Sequence, residues 1–208
     1  MELDLIDKCI IVCSKRNIGK SVLVKYLIGT IHDKFKKMYV FSGSEKVNHF
    51  YSELTEEENI FDEFNEDWLE TLIKKCSHLN ANKSKEDMHR VLLVFDDIMC
   101  SFKFASSKAL AKIVNLGRHI GVTVFFVCHH YAQISVNCRV NSDLVLCSKM
   151  SAHGVECLEH EFNSLLSKKE FMQMYNRVCV DYNFLVINQN GTKTNDINEI
   201  YGIIRANI

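Results

Sequence analysis

Cys9-Ile10-Ile11-Val12-Cys13-Ser14-Lys15-Arg16-Asn17-Ile18-Gly19-Lys20-Ser21 is the stretch that decides the fold. Its first five residues are an uninterrupted apolar run, the pattern of a strand buried on both faces. Mostly polar residues follow. Then Ser21 to Phe35 sets Leu23, Tyr26, Leu27 and Ile31 at helical spacing. The order is strand, loop, helix, and the loop carries Gly19-Lys20-Ser21 at the point where the helix begins.

That loop keeps most of the pattern G-x-x-x-x-G-K-[ST], with Ser14 standing at the first glycine position. In such a loop the backbone N–H groups of Ser14, Lys15, Arg16, Asn17, Ile18, Gly19, Lys20 and Ser21 surround a nucleotide's phosphates, helped by the positive helix N-terminus. Lys20 is expected to reach the β- and γ-phosphates of ATP, and the Ser21 hydroxyl to bind Mg2+. Gly19 allows close backbone approach. Ser14 would be strained if the turn there needed a positive φ.

Further along, Val91-Leu92-Leu93-Val94-Phe95 is a second uninterrupted apolar run, and it ends in Asp96-Asp97. Carboxylates at the end of a buried strand are costly unless they serve a cation or a hydrogen-bond network. Asp96 is the expected Mg2+ residue, and Asp97 the one that orients or deprotonates an attacking water. A strand-end turn, which Asp-Asp also favours, is the competing reading. Gly121 to Cys128 is another apolar strand, leading into His129-His130. His129 at its end is placed to face a γ-phosphate, with a plain polar loop start as the alternative. The two histidines with Asp96 give no tetrahedral metal set. Arg118 and Arg139 are each candidates for reaching a neighbouring subunit's γ-phosphate, and a salt bridge is the competing role for each.

The remaining elements alternate. Met38 to Phe41 reads as a strand, 45–66 as acidic and irregular, and Asp67 to about Leu79 as a helix with Trp68, Leu69, Leu72 and Ile73 inward. Asn80 to His89 is an exposed loop. Ser106 to His119 reads as a helix with Leu110, Ile113, Val114 and Leu116 inward, Asp143 to Cys147 as a strand, and Ala152 to Tyr175 as mostly helical. Tyr182–Asn188 and Glu199–Arg205 form a closing strand pair around Asn190-Gly191-Thr192. Strands alternating with helices imply one α/β domain over 1–208: three layers, a mostly parallel central sheet, and a C-terminal strand pair.

Composition narrows the function classes. A net charge of −1 excludes a chain that is polybasic throughout, though a local basic patch remains compatible. The nine cysteines include no Cys-x-x-Cys pair, which argues against a zinc ribbon, and several sit in strand-like runs where cysteine behaves as a small hydrophobe. A reducing, intracellular setting is therefore expected. No apolar run reaches the roughly 18–20 residues of a membrane span, so no membrane partner is expected.

In order, the loop at 14–21, the strand at 38–41, Asp96-Asp97, Gly117-Arg118-His119, Cys128-His129 and Arg139-Val140-Asn141 resemble the poxvirus-type genome-packaging ATPases. That family lies within the FtsK–HerA superfamily and is spread over large DNA viruses, virophages and related mobile elements. The resemblance is strongest over 90–149 and covers most of the chain. Two positions depart from the family pattern: Ser14 replaces its first glycine, and His129 stands where its glutamine is expected. The resemblance implies a RecA/FtsK-like P-loop ATPase working with ATP and Mg2+. It further implies a homo-oligomeric ring around double-stranded DNA, and a capsid or portal protein as partner. The expected location is the host cytoplasm or viral factory, or association with the virion. Lys149, Lys168, Lys169 and Lys193 are candidates for lining the pore, with a solvated face as the plainer reading of each.

Two other classes compete. A small-molecule P-loop kinase fits the size, but it needs a lid with phosphate-clamping arginines. Residues 45–90 hold only Arg90, and 140–180 only Arg177. A non-catalytic nucleotide-binding module derived from such an ATPase is the third reading, motivated by Ser14 and His129. A GTPase and an ABC-type ATPase lack their Asn-Lys-x-Asp and Ser-Gly-Gly-Gln signatures.

Overall fold

The computed structural model describes residues 3–98, 102–162, 165–193 and 196–206. In chain order the elements are β1 (Cys9–Cys13), α1 (Lys20–Ile31), β2 (Lys37–Ser42), α2 (Glu45–Asn48), β3 (Ile60–Phe61), α3 (Glu66–Asn80), β4 (Val91–Asp96), α4 (Phe102–Ala105), α5 (Lys108–Leu116), β5 (Val122–Cys128), α6 (Val136–Val140), β6 (Leu144–Cys147), α7 (Ala152–Phe162), α8 (Lys168–Val178), β7 (Asn183–Asn188), α9 (Ile197–Ile200) and β8 (Tyr201–Arg205). Single 3-10 turns fill several of the connections. The class is α/β, with mostly parallel strands and an antiparallel pair at the C-terminal end.

The chain divides into two compact units, each made of separate stretches: residues 10–30 with the part from 127 onward, and residues 4–9 with 31–126. In the first unit the strand order is β1-β6-β7-β8. β1 pairs parallel with β6, Ile11 opposite Val145, and β7 runs antiparallel to both β6 and β8. All five residues of β1 and all four of β6 are buried, as continuous apolar runs at the centre of a sheet should be. β8 alternates instead, with Ile203 59% exposed, which fits an outer strand with one wet face.

In the second unit the order is β3-β2-β4-β5. β2 is parallel to both β3 and β4, and Ser42 lies opposite Asp96. An aromatic ladder crosses this sheet: Phe41 stacks on Phe95 with ring centroids 5.1 Å apart, Phe95 on Phe126 at 5.5 Å, and Phe104 meets Phe95 edge-on. The helices start where their caps allow. The Asn65 side chain accepts from Trp68 N to open α3, and the Ser107 hydroxyl accepts from Leu110 N to open α5. α8 has a full capping box between Ser167 and Glu170. Gly121, at φ 72, feeds β5; a Cβ there would stand 3.1 Å from Asn80 Nδ2 and 3.2 Å from the His89 carbonyl.

Several local expectations shift. The buried stripe of α1 is Leu23, Val24, Leu27, Ile28 and Ile31, while Tyr26 is half exposed. Nearly every side of α1 is apolar, so periodicity alone underdetermines which side turns inward. Leu116 is likewise exposed, at the last turn of α5, just before the chain tightens into the 3-10 turn Gly117–His119. The stretch 152–175 is two helices, divided before Ser167, whose side chain caps the second. The 45–66 stretch holds α2, a 3-10 turn and β3, where only irregular chain was expected.

Candidate nucleotide site

Ser14 to Gly19 leaves the end of β1 and turns into α1. The Ser14 amide donates to the Cys128 carbonyl at 3.3 Å and the Lys15 amide to the Lys149 carbonyl at 2.7 Å, which pins the start of the loop to neighbouring strand ends. The left-handed residues of the loop are Asn17 at φ 61 and Gly19 at φ 80. Ser14 is not among the residues with positive φ, so serine at that position carries no left-handed strain. Its side chain is buried and its hydroxyl donates to the Lys15 carbonyl. Lys15, Arg16 and Asn17 are exposed, Ile18 and Gly19 half-buried, and Ser21 exposed at the helix mouth. The first-turn amides of α1 have no acceptor within their own helix, so they and the helix dipole present partial positive charge there.

Lys20 is only 6% exposed, low for a lysine, and its ammonium lies against the His129 ring, 2.9 Å from Nδ1 and 3.3 Å from Nε2. His129 Nδ1 is also 3.0 Å from the Ser14 carbonyl oxygen. Only a neutral imidazole can accept from an ammonium. Nδ1 can accept from Lys20 or, when it carries the proton, donate to Ser14 O, so which of these hydrogen bonds forms depends on the tautomer. The histidine at the end of β5 therefore holds the loop lysine. His130 beside it is exposed.

The second unit, described by itself, holds the acids. Asp96, the last residue of β4, is half-buried, and Asp97 is exposed in a left-handed conformation at φ 53, which aspartate tolerates better than most residues. The Tyr51 hydroxyl donates to Asp96 Oδ2 at 3.0 Å. Burial, followed by the charges of Asp96, Glu45 and Asp97, drives the Tyr51 hydroxyl well above its ordinary range, so it remains a donor. Tyr51 is in turn held by Glu45, whose Oε1 accepts from Tyr51 N at 2.7 Å and Ser52 N at 2.9 Å. Glu45 Oε2 is buried with no hydrogen-bond partner among the described residues. Concentrated carboxylate charge with an unmatched buried oxygen fits a nearby cation. Among the described residues no group of three or more His, Cys, Asp or Glu side chains is disposed to hold a metal alone. Sequence reading missed Tyr51 and Glu45, because their partners lie 45 and 6 residues away and no spacing rule links them.

The two arginines differ sharply. Arg118 is exposed in the turn after α5, its Nε 3.2 Å from His119 Nε2. Arg139 is buried in the first unit. Its Nε and Nη2 donate to Glu161 Oε1 at 2.9 and 2.8 Å, and its Nη1 donates to the Ile134 carbonyl at 2.7 Å. Its guanidinium sits 5.3 Å from the Tyr131 ring centroid, and the Tyr131 hydroxyl donates to Glu161 Oε2. Lys149, Lys168 and Lys169 are exposed, and the Lys193 side chain lies outside the described residues.

Residues 7–191 match the family model described as Poxvirus A32 protein. The chain belongs to the poxvirus A32 family. Among curated relatives in that family's range, it is 27% identical over 180 residues to uncharacterized protein 075L of Invertebrate iridescent virus 6, covering 86% of this chain and 69% of that one. It is 23% identical over 168 residues to the DNA packaging protein OPG160 of Variola virus, covering 77% and 60%. The chain thus spans about three fifths to two thirds of the length of these relatives. Among solved structures, the genome packaging NTPase B204 from Sulfolobus turreted icosahedral virus 2, in complex with ATP-gammaS, superposes with a TM-score of 0.67 at 16% identity, over 96% of this chain and 97% of that one. That likeness establishes the P-loop NTPase fold of this A32 family member. Among the described residues no helix is long and apolar enough to cross a membrane.

Proposed function

We propose that this A32 family member is an ATP-hydrolysing motor that drives double-stranded DNA into a viral capsid, its two units serving together as one ATPase domain. The observation that carries the reading is the loop at 14–21: a strand-loop-helix turn with Gly19 in a left-handed conformation and a buried Lys20 at the helix start. The variola relative's name, DNA packaging protein, and the ATP-gammaS complex of the B204 NTPase support the substrate and the task.

In this reading the amides of residues 14–21 and the Lys20 ammonium bind the ATP phosphates, which requires Lys20 to exchange His129 for phosphate oxygens. His129, released, is then the residue that meets the γ-phosphate. Ser21 and Asp96 take Mg2+, which when bound offsets charge on the phosphates. Asp97 orients the attacking water or accepts its proton. Arg118, exposed, is assigned the reach toward a neighbouring subunit of a homo-oligomeric ring, and Arg139 a structural role. Capsid or portal contact, and a virion or viral-factory location, follow from the packaging task.

The test is ATP hydrolysis with and without double-stranded DNA, with Lys20→Ala as the blank. Expected is turnover that DNA stimulates and that the substitution abolishes along with tight ATP binding. Normal ATP affinity in Lys20→Ala would remove the loop from the site. Binding without turnover in either condition would favour the non-catalytic module, and phosphoryl transfer to a small acceptor would favour the kinase.

A further inference from the structure

A buried glutamate and a buried tyrosine, which none of the expected roles uses, lead by hydrogen bonds to the strand-end Asp96. Glu45 opens the four-residue α2, and its carboxylate reaches forward to the amides of Tyr51 and Ser52. The intervening backbone reverses at His49, φ 46. The Tyr51 carbonyl then accepts from the Leu54 and Thr55 amides at 2.8 and 3.1 Å. Residues 45–55 are thereby tied into one stiff loop around Tyr51, which is 1% exposed and edge-on to Phe50. Its hydroxyl ends on Asp96 Oδ2.

The arrangement is costly if its only task is packing. Phenylalanine would fill the same volume without a hydroxyl that needs an acceptor, and a buried carboxylate with an unmatched oxygen disfavours folding. What the arrangement provides is orientation: a carboxylate with one oxygen fixed by a rigid donor cannot rotate about its terminal bond. Partners of this kind are what set the direction of metal-binding carboxylates.

We propose that Tyr51, anchored by Glu45, is a positioning residue that fixes the Asp96 carboxylate for Mg2+–nucleotide binding. The inference rests on the ATPase reading, and it assigns the loop at 45–55 a part in the site. Tyr51 acts through Asp96, to which its hydroxyl donates.

The experiment titrates Mg2+ against binding of a fluorescent, non-hydrolysable ATP analogue, so no turnover is required. Tyr51→Phe removes one oxygen and keeps the ring. Expected is a rise of roughly 10–100-fold in the half-saturating Mg2+ concentration, with analogue affinity in EDTA unchanged and the melting temperature close to wild type. A rise of less than about tenfold, below the range for outer-shell partners, argues packing alone and overturns the inference. If Tyr51→Phe melts far below wild type, Glu45→Gln is read in its place, since it keeps an acceptor for the two amides while removing the charge that strengthens them. An unchanged Mg2+ requirement there overturns the inference equally. Wild-type protein whose analogue affinity ignores Mg2+ refutes the ATPase reading itself, and that outcome is seen before any variant is compared.

Discussion

Arg139→Met distinguishes a structural arginine from one that acts on a neighbour's nucleotide. The guanidinium is enclosed: its side chain is 9% exposed and that of Glu161 13%. Burial alone would lower the Arg139 pKa, but the hydrogen bonds and charge of Glu161 outweigh it and hold the pKa above its ordinary value. Methionine keeps the aliphatic stem and removes the charge. It leaves Glu161 with the Tyr131 hydroxyl alone and the Ile134 carbonyl without its donor. Removing one member of a buried pair costs about 3–5 kcal/mol. A chain of this size loses roughly 2–4 °C of melting temperature per kcal/mol, so a fall of about 6–20 °C is expected, toward the lower end because both side chains keep a little solvent. Glu161→Gln should also lower the melting temperature. Arg139→Met with Glu161→Gln should be less damaging than the two singles summed, because no buried charge is left unmatched. Thermal melts followed by circular dichroism measure all three, with ATP affinity at low temperature as the control. The reasoning is refuted if Arg139→Met melts like wild type yet fails to hydrolyse ATP while Glu161→Gln is normal in both, since only an arginine acting across a subunit boundary gives that pattern.

Asp97→Asn should leave ATP affinity within a few-fold of wild type and stop turnover, because it removes the carboxylate proposed to act on the water while keeping a residue that tolerates the left-handed backbone at φ 53; normal hydrolysis would transfer that role elsewhere. Glu66 should give the second unit an acid-sensitive contact. Its carboxylate accepts from Ala109 N, the Ser107 hydroxyl and Lys108 N, and these hydrogen bonds, with Ala109 first, hold its pKa below the ordinary glutamate value. A depressed folded pKa means that the stabilisation is complete above the unfolded value and is lost as pH falls through the folded one. Urea midpoints between pH 6 and pH 3 should therefore fall more steeply in wild type than in Glu66→Gln, and parallel profiles would show that the contact contributes nothing.

What was legible in the sequence was whatever depends on neighbours along the chain. β1, β4 and β5 announce themselves as unbroken apolar runs, and β1 begins and ends at the residues read from the pattern alone. The loop at 14–21 was legible for the same reason, since its motif is contiguous. At its one irregularity, Ser14, the backbone is not left-handed; the positive φ values of the loop fall at Asn17 and Gly19. Faces were harder than elements: Tyr26 and Leu116 fit a helical stripe but lie outside it, because α1 has apolar residues to spare and α5 ends there.

Contacts set by distant partners left no such trace, and they change how the candidate residues are weighed. Acidic, aromatic 45–61 reads as loop because its short elements form only against the rest of the unit: Phe61 packs on Phe41 and Trp68, and Glu45 captures two amides across a reversed turn. Arg139 and Arg118 look equivalent in a chain with few arginines, and what separates them is Glu161, 22 residues from Arg139 on α7. His129 is the sharpest case. Read at the end of its strand, it is a candidate to meet a γ-phosphate; in the folded unit it is also the ring against which the loop lysine rests. On the proposed ATPase reading, that ring is an acceptor for the enclosed ammonium until phosphate oxygens replace it. On the same reading, histidine can stand in for glutamine because a neutral imidazole, like a side-chain amide, offers both a donor and an acceptor.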